Sequence, residues 1–138
     1  SSLPENVALA RVLIASLVAQ LDTTLNDLEE IKVAVSEAVS NAIIHGYQNK
    51  PDGIVGVEAK IKDGLLEITV NDWGVGIEDI EQAMAPTFST DPDRMGLGFV
   101  FMKSFMDSVH VESEVGKGTK VILQKKISEN GSCAQIAN

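Results

Sequence analysis

Apolar residues between Glu5 and about Leu21 recur at helical spacing, with Leu9, Val12, Leu13, Leu17 and Leu21 forming the stripe. Asp22, Thr23 and Thr24 interrupt it and offer N-cap oxygens for a second helix. That helix is predicted from about Leu25 to Tyr47, with Leu28, Ile31, Val35, Ala38 and Ala42 on one face, before turn chemistry at Asn49–Gly53. The period then changes to two. Val55, Val57, Ala59 and Ile61 alternate with Gly56, Glu58 and Lys60, which reads as a half-buried strand. Asp63-Gly64 is a hairpin signal, and Leu66, Ile68 and Val70 mark the return strand.

Asp72 to about Met95 is rich in Gly, Pro, Asp and Ser and is predicted to be a long functional loop with a short helix near Glu78–Met84. A further helix is expected from Gly96-Leu97-Gly98, carrying Phe101 and Phe105 on one face. Val109 and Val111, a turn at Gly116-Lys117-Gly118, then Val121 and Leu123 make a second hairpin. Helix, helix, hairpin, loop, helix, hairpin predicts an α+β two-layer sandwich, a largely antiparallel mixed sheet with helices on one face. We expect one domain over residues 1–127 and a frayed tail over 128–138.

The 138 residues, 44% of them hydrophobic, suffice for one buried core. No apolar run approaches the roughly 18 residues that cross a bilayer, and no signal peptide opens the chain, so a cytoplasmic protein is expected. The first residue is Ser1 rather than Met, as expected where the native N-terminus is trimmed or left out. Cys133, the only cysteine, excludes an intrachain disulfide. A net charge of −9 argues against direct nucleic-acid binding and suits a basic protein partner or simple solubility.

Glu37 and Asn41 stand i and i+4 on one face of the second helix, about 6 Å apart along the axis, with Glu37 roughly 140° from the apolar stripe. Val33 and Ile44 flank them. A carboxylate beside an amide within an apolar rim suits a general base next to a metal ligand. By spacing alone, the commoner reading is a solvated polar stripe. Asp72-Trp73-Gly74-Val75-Gly76 leaves a strand end, where glycines permit close approach to a ligand and an Asp can accept from an exocyclic amine such as that of adenine. That spacing also occurs in many ordinary turns.

Gly96-Leu97-Gly98 opens a helix whose free N–H groups favour a phosphate, and a glycine-rich turn is the plain alternative. Thr87–Arg94 is a candidate lid, with Arg94 the nearest cation to such phosphates. Gly118-Thr119 offers a hydroxyl or merely a hairpin turn. No P-loop, dinucleotide fingerprint, zinc spacing or nucleophile elbow is present.

Together these segments resemble the GHKL ATPase family shared by gyrase, the chaperone Hsp90, histidine kinases and the mismatch-repair protein MutL. Glu37-Ala-Val-Ser-Asn41-Ala-Ile-Ile-His45-Gly46 resembles its N box, Asp72-Trp-Gly74-Val-Gly76 its first glycine box, and Gly96-Leu-Gly98 and Gly118-Thr119 the later ones. Four boxes in order are far more specific than one. The resemblance spans about Ser2 to Lys125 and implies a Bergerat-type ATP-binding fold.

Ser36–Tyr47, Phe105-Met-Asp107 and Val111–Thr119 are most similar to the anti-sigma kinases of spore-forming bacteria. That branch implies a dimer that sequesters a sigma factor and uses ATP and Mg²⁺ to phosphorylate a serine on an anti-anti-sigma protein, with ADP as product. The resemblance implies Glu37 as base, Asn41 as Mg²⁺ ligand and Asp72 as adenine reader. It implies Gly74, Gly76, Gly96, Gly98 and Thr119 in the nucleotide pocket, Arg94 at the terminal phosphate and Arg11 at both protein partners. Two departures stand out: the family carries a strand before its first helix, and the Phe88–Gly96 segment is shorter than the family's lid. A histidine-kinase catalytic domain, usually with Asn where Glu37 stands, is one alternative. A stress-response anti-sigma kinase and a nucleotide-gated sequestering module without catalysis are others.

Overall fold

A computed structural model describes residues 1–85 and 95–127, the side chains of Met95 and Gly96 excepted. The candidate lid with Arg94, and the tail with Cys133, lie outside the described residues. Helix α1 covers Asn6–Ala19 and α2 covers Leu25–Asn41, running on into a π-helical turn at Ala42–Gly46. Strands β1 (Val55–Lys62) and β2 (Leu65–Asp72) precede the short helix α3 (Ile80–Met84) and helix α4 (Met95–Phe105). Strands β3 (Ser108–Glu114) and β4 (Gly118–Lys126) follow.

The sheet order is β1-β2-β4-β3, and all three pairings are antiparallel. The α+β sandwich expected from the alternation is therefore present, with an antiparallel sheet throughout the described residues. Its first hairpin turns in two residues. Asp63 and Gly64 both have positive φ, 53° and 77°, as a turn matched to strand twist requires. Leu66, Ile68 and Val70 of β2 and Val121 and Leu123 of β4 face the helices and are buried. Against them pack Ile31, Val35, Ala38 and Val39 of α2 and Phe99 and Met102 of α4. Each such large side chain removed from water contributes about 1.5–3 kcal/mol.

Thr24 caps α2: its hydroxyl accepts from the Asp27 N–H at 3.0 Å. The helix departs from expectation at its other end. Regular α-helical bonding stops at Asn41, and the Tyr47 N–H reaches back five residues to the Ala42 carbonyl at 3.0 Å. The Gly46 carbonyl, at the end of the helix where no intrahelical donor remains, accepts from Val75 N–H at 2.9 Å and ties the helix end to the loop after β2.

The expected stripe on α1 is corrected. Ile14 and Val18 are buried, whereas Leu9, Val12 and Leu13 are 55%, 57% and 60% exposed. The helix is apolar on more than one face, so periodicity could not select the side that packs on α2. Among the described residues no helix is long and apolar enough to cross a membrane.

Candidate functional site

The end of β2 meets the start of β4 on the helix-facing side of the sheet. Asp72 pairs with Thr119 in the register between those strands, and Thr119 pairs with Ser113 of β3. Because register partners share a face, Asp72, Thr119 and Ser113 form one polar row at the end of an otherwise apolar layer. Above this row lies a cavity of about 280 Å³, lined by Val70, Asp72, Gly76, Ile77, Glu78, Thr119 and Val121 from the sheet side. Ala38, Asn41, Ala42, His45, Gly46 and Phe99 close it from the helices. Apolar walls with a few polar groups at one end suit a flat heteroaromatic ring, at the small end of the range for ligand sites.

Asp72 is 8% exposed. Burial pushes its carboxyl pKa up, opposed by hydrogen bonds from the backbone of Gly74 and Thr119. The Gly74 N–H donates to Asp72 Oδ1 at 3.0 Å. Gly74 does not itself line the cavity. A Cβ there would lie 1.9 Å from the Gly46 carbonyl oxygen, so the glycine lets the loop pack onto the π turn. Gly76 does line the cavity, and Thr119 stands beside Asp72.

Glu37 and Asn41 converge on the first turn of α4. A Cβ on Gly98 would lie 3.0 Å from Asn41 Nδ2, 3.2 Å from its Oδ1 and 3.2 Å from Glu37 Oε2. The cleft between α2 and the α4 N-terminus therefore holds carboxylate, amide and helix dipole together, with Gly96 one residue into α4. Glu37 is half-buried, and desolvation raises its pKa. Asn41 Nδ2 is buried without a hydrogen-bond partner among the described residues. An amide left unpartnered beside a helix N-terminus fits a phosphate oxygen or, turned over, a phosphate-bound cation. Among the described residues no group of three His, Cys, Asp or Glu side chains could hold a metal by itself. Arg11 lies on α1, an element apart from this cleft.

Sequence reasoning did not include His45, Ile77, Phe99, Val70 and Val121 among the cavity residues. For Val70 and Val121 the signal was present, since strand alternation carries them to the side of Asp72 and Thr119. Ser113 was also missed. Its hydroxyl accepts from the Ile77 N–H at 2.7 Å and lies 2.8 Å from Thr119 Oγ1.

The family model described as a histidine kinase-like ATPase domain matches residues 1–125. Curated relatives include the anti-sigma F factor of Geobacillus kaustophilus (strain HTA426), 55% identical over 132 residues and covering 94% of this chain and 90% of that protein. The anti-sigma F factor of Clostridium beijerinckii is 51% identical over 126 residues, 90% of this chain and 88% of that protein. In fold, the chain is similar to the histidine kinase domain of the Erythrobacter litoralis EL346 blue-light activated histidine kinase. The TM-score is 0.58 at 24% identity, covering 78% of this chain and 48% of that one. The mycobacterial sensor histidine kinase MprB gives a TM-score of 0.57 at 24% identity, over 71% of this chain and 70% of that one.

Proposed function

The chain belongs to the histidine kinase-like ATPase family, and we propose that it is an ATP-dependent protein-serine kinase that also sequesters a bacterial sigma factor. The observation that carries the catalytic part is the convergence of Glu37 and Asn41 on Gly98 at the α4 N-terminus, next to the cavity that Asp72 and Thr119 close. Adenine presents an amine donor beside a ring-nitrogen acceptor, and Asp72 and Thr119 present an acceptor beside a hydroxyl. Guanine would set a carbonyl oxygen against the Asp72 carboxylate. The base lies between the apolar walls, so its phosphates extend toward Gly96, Gly98 and the free N–H groups of α4. Arg94 is assigned to the terminal phosphate on sequence grounds.

In the reaction a substrate serine oxygen attacks the terminal phosphorus, a new O–P bond forms, the bond to ADP breaks, and Glu37 takes the hydroxyl proton. Desolvation helps here, because a carboxylate with a raised pKa is a stronger base. A Mg²⁺ ion carried by the phosphates would offset their charge, with the Asn41 side-chain oxygen as its protein ligand. The substrate assigned is the serine of an anti-anti-sigma protein.

Relatives named anti-sigma F factors support the sigma-factor partner, and Arg11 is assigned to both protein interfaces. A homodimer belongs to the same reading, supported by exposed Leu9, Val12 and Leu13 of α1 and by the place of β1 at the edge of the sheet among the described residues. The test is to incubate the chain with ATP, Mg²⁺ and an anti-anti-sigma protein and map phosphate by mass spectrometry. Phosphoserine on that protein is expected. Sigma-factor capture without any phosphate transfer would instead identify a nucleotide-gated sequestering module.

A further inference from the structure

Ser113 belongs to none of the glycine or N boxes, yet it is the node that joins the polar row to the cavity loop. Its oxygen accepts from the Ile77 N–H at 2.7 Å and approaches the Gly118 carbonyl at 3.0 Å and Thr119 Oγ1 at 2.8 Å. A serine hydroxyl has one proton and two acceptor positions. It cannot donate to Gly118 and Thr119 at once. When Ser113 donates to the Gly118 carbonyl, Thr119 must donate to Ser113, and only Thr119 lone pairs remain for a ligand. When Ser113 donates to Thr119 instead, the Thr119 proton is released toward the cavity. The same two side chains thus present either an acceptor or a donor beside Asp72.

We infer that Ser113 is a positioning residue for base recognition: on nucleotide binding its proton turns from the Gly118 carbonyl to Thr119, which directs the Thr119 hydroxyl at the ring nitrogen of adenine. The inference rests on the adenine-site reading above. Asp72 accepts from the amine, Thr119 donates to the neighbouring ring nitrogen, and Ser113 sets the direction of that donation. Throughout, Ser113 keeps its bond from Ile77 N–H, so the loop leading from Gly76 to α3 is held against β3 in both arrangements. No atom leaves or joins the protein; two hydroxyl rotors turn.

The discriminating probe is 1-deaza-ATP, in which that ring nitrogen is replaced by C–H. Calorimetric affinities for ATP and 1-deaza-ATP are compared in the wild type, Ser113→Ala and Ser113→Thr. The wild type should prefer ATP by about tenfold, the worth of one directed hydrogen bond. Ser113→Ala should reduce the preference to about threefold or less, because Thr119 loses the partner that orients it, and Ser113→Thr should restore it. A purely structural Ser113 would weaken both nucleotides equally and leave the ratio intact, which overturns the inference. Should the alanine variant not fold, Ser113→Cys, with its weak donor and acceptor, carries the same comparison with the same expected loss of preference. Wild type that binds ATP but does not prefer it to the analogue overturns the role of Thr119 and Ser113 alone. Wild type that binds neither nucleotide overturns the adenine-site reading beneath it.

Discussion

Replacing Asp72 by Asn should separate what this residue does for the fold from what it does for the nucleotide. The residue is 8% exposed, and its carboxylate sits under the π turn, so close that a Cβ on Gly46 would lie 2.8 Å from it. Burial raises its pKa, more than the bonds from Gly74 and Thr119 lower it. For an acid raised in the folded state, the stabilising contribution is complete below the unfolded pKa, 3.8, and is lost as pH rises through the folded value. At neutral pH the ionised group therefore opposes folding. Asn keeps the size and an oxygen for the Gly74 N–H, and removes the charge. Melting at pH 7 should be unchanged or higher in Asp72→Asn, with the difference shrinking toward acid.

The nucleotide should respond the other way. Asn can give its one oxygen to Gly74 or to the adenine amine, and otherwise sets N–H against N–H. Loss of a charge-assisted hydrogen bond is worth about 1.5–3 kcal/mol, or about 10–150-fold in Kd. Titration calorimetry with ATP and GTP, beside melting curves from acid to neutral pH, measures both halves. A variant that is less stable at pH 7 and binds ATP as the wild type does would refute the reasoning, because Asp72 would then be a structural residue only.

Three further outcomes follow from the same geometry. Gly98→Ala adds a Cβ within 3.0–3.2 Å of the Asn41 and Glu37 side-chain atoms, so Mg²⁺-ATP affinity should fall about tenfold or more while urea midpoints change little. Lys125 is 8% exposed, lies 3.1 Å from Glu30 and 3.9 Å from Asp27, and donates to the Phe105 carbonyl at 2.6 Å. Lys125→Ala should cost about 2–4 kcal/mol in urea denaturation without altering ATP affinity, since the residue joins α2 to the far end of α4. Arg11→Ala on α1 should weaken capture of both the sigma factor and the anti-anti-sigma protein in pull-downs, with calorimetric ATP binding unchanged.

The strands and their pairing were legible because alternation at Val55–Ile61 and Leu66–Val70 has one solution once Asp63-Gly64 closes the turn. Glu37 and Asn41 were legible as neighbours, but spacing alone suited a solvated stripe; only the fold brings Gly98 against them. The π turn was not legible, since Ala42–Gly46 suits an α-helix and the periodicity carries no sign of the tertiary bond from Val75 to the Gly46 carbonyl that accompanies the turn. The packing face of α1 escaped for a related reason: an apolar sequence on several sides leaves the choice to the partner surface. Ser113 lies within the Val111–Thr119 run but in no nucleotide box, and its place opposite Thr119 emerges only when the register of the second hairpin is counted out.

Glu37→Gln tests the central claim most directly, because it keeps the side chain's shape and removes its ability to take a proton. Phosphate transfer from ATP to the serine of an anti-anti-sigma protein, followed in a single turnover with saturating Mg²⁺-ATP, isolates that step from binding and release. The account predicts ATP affinity within a few-fold of wild type and a transfer rate lower by about 10²-fold or more. Transfer at the wild-type rate by Glu37→Gln would contradict it.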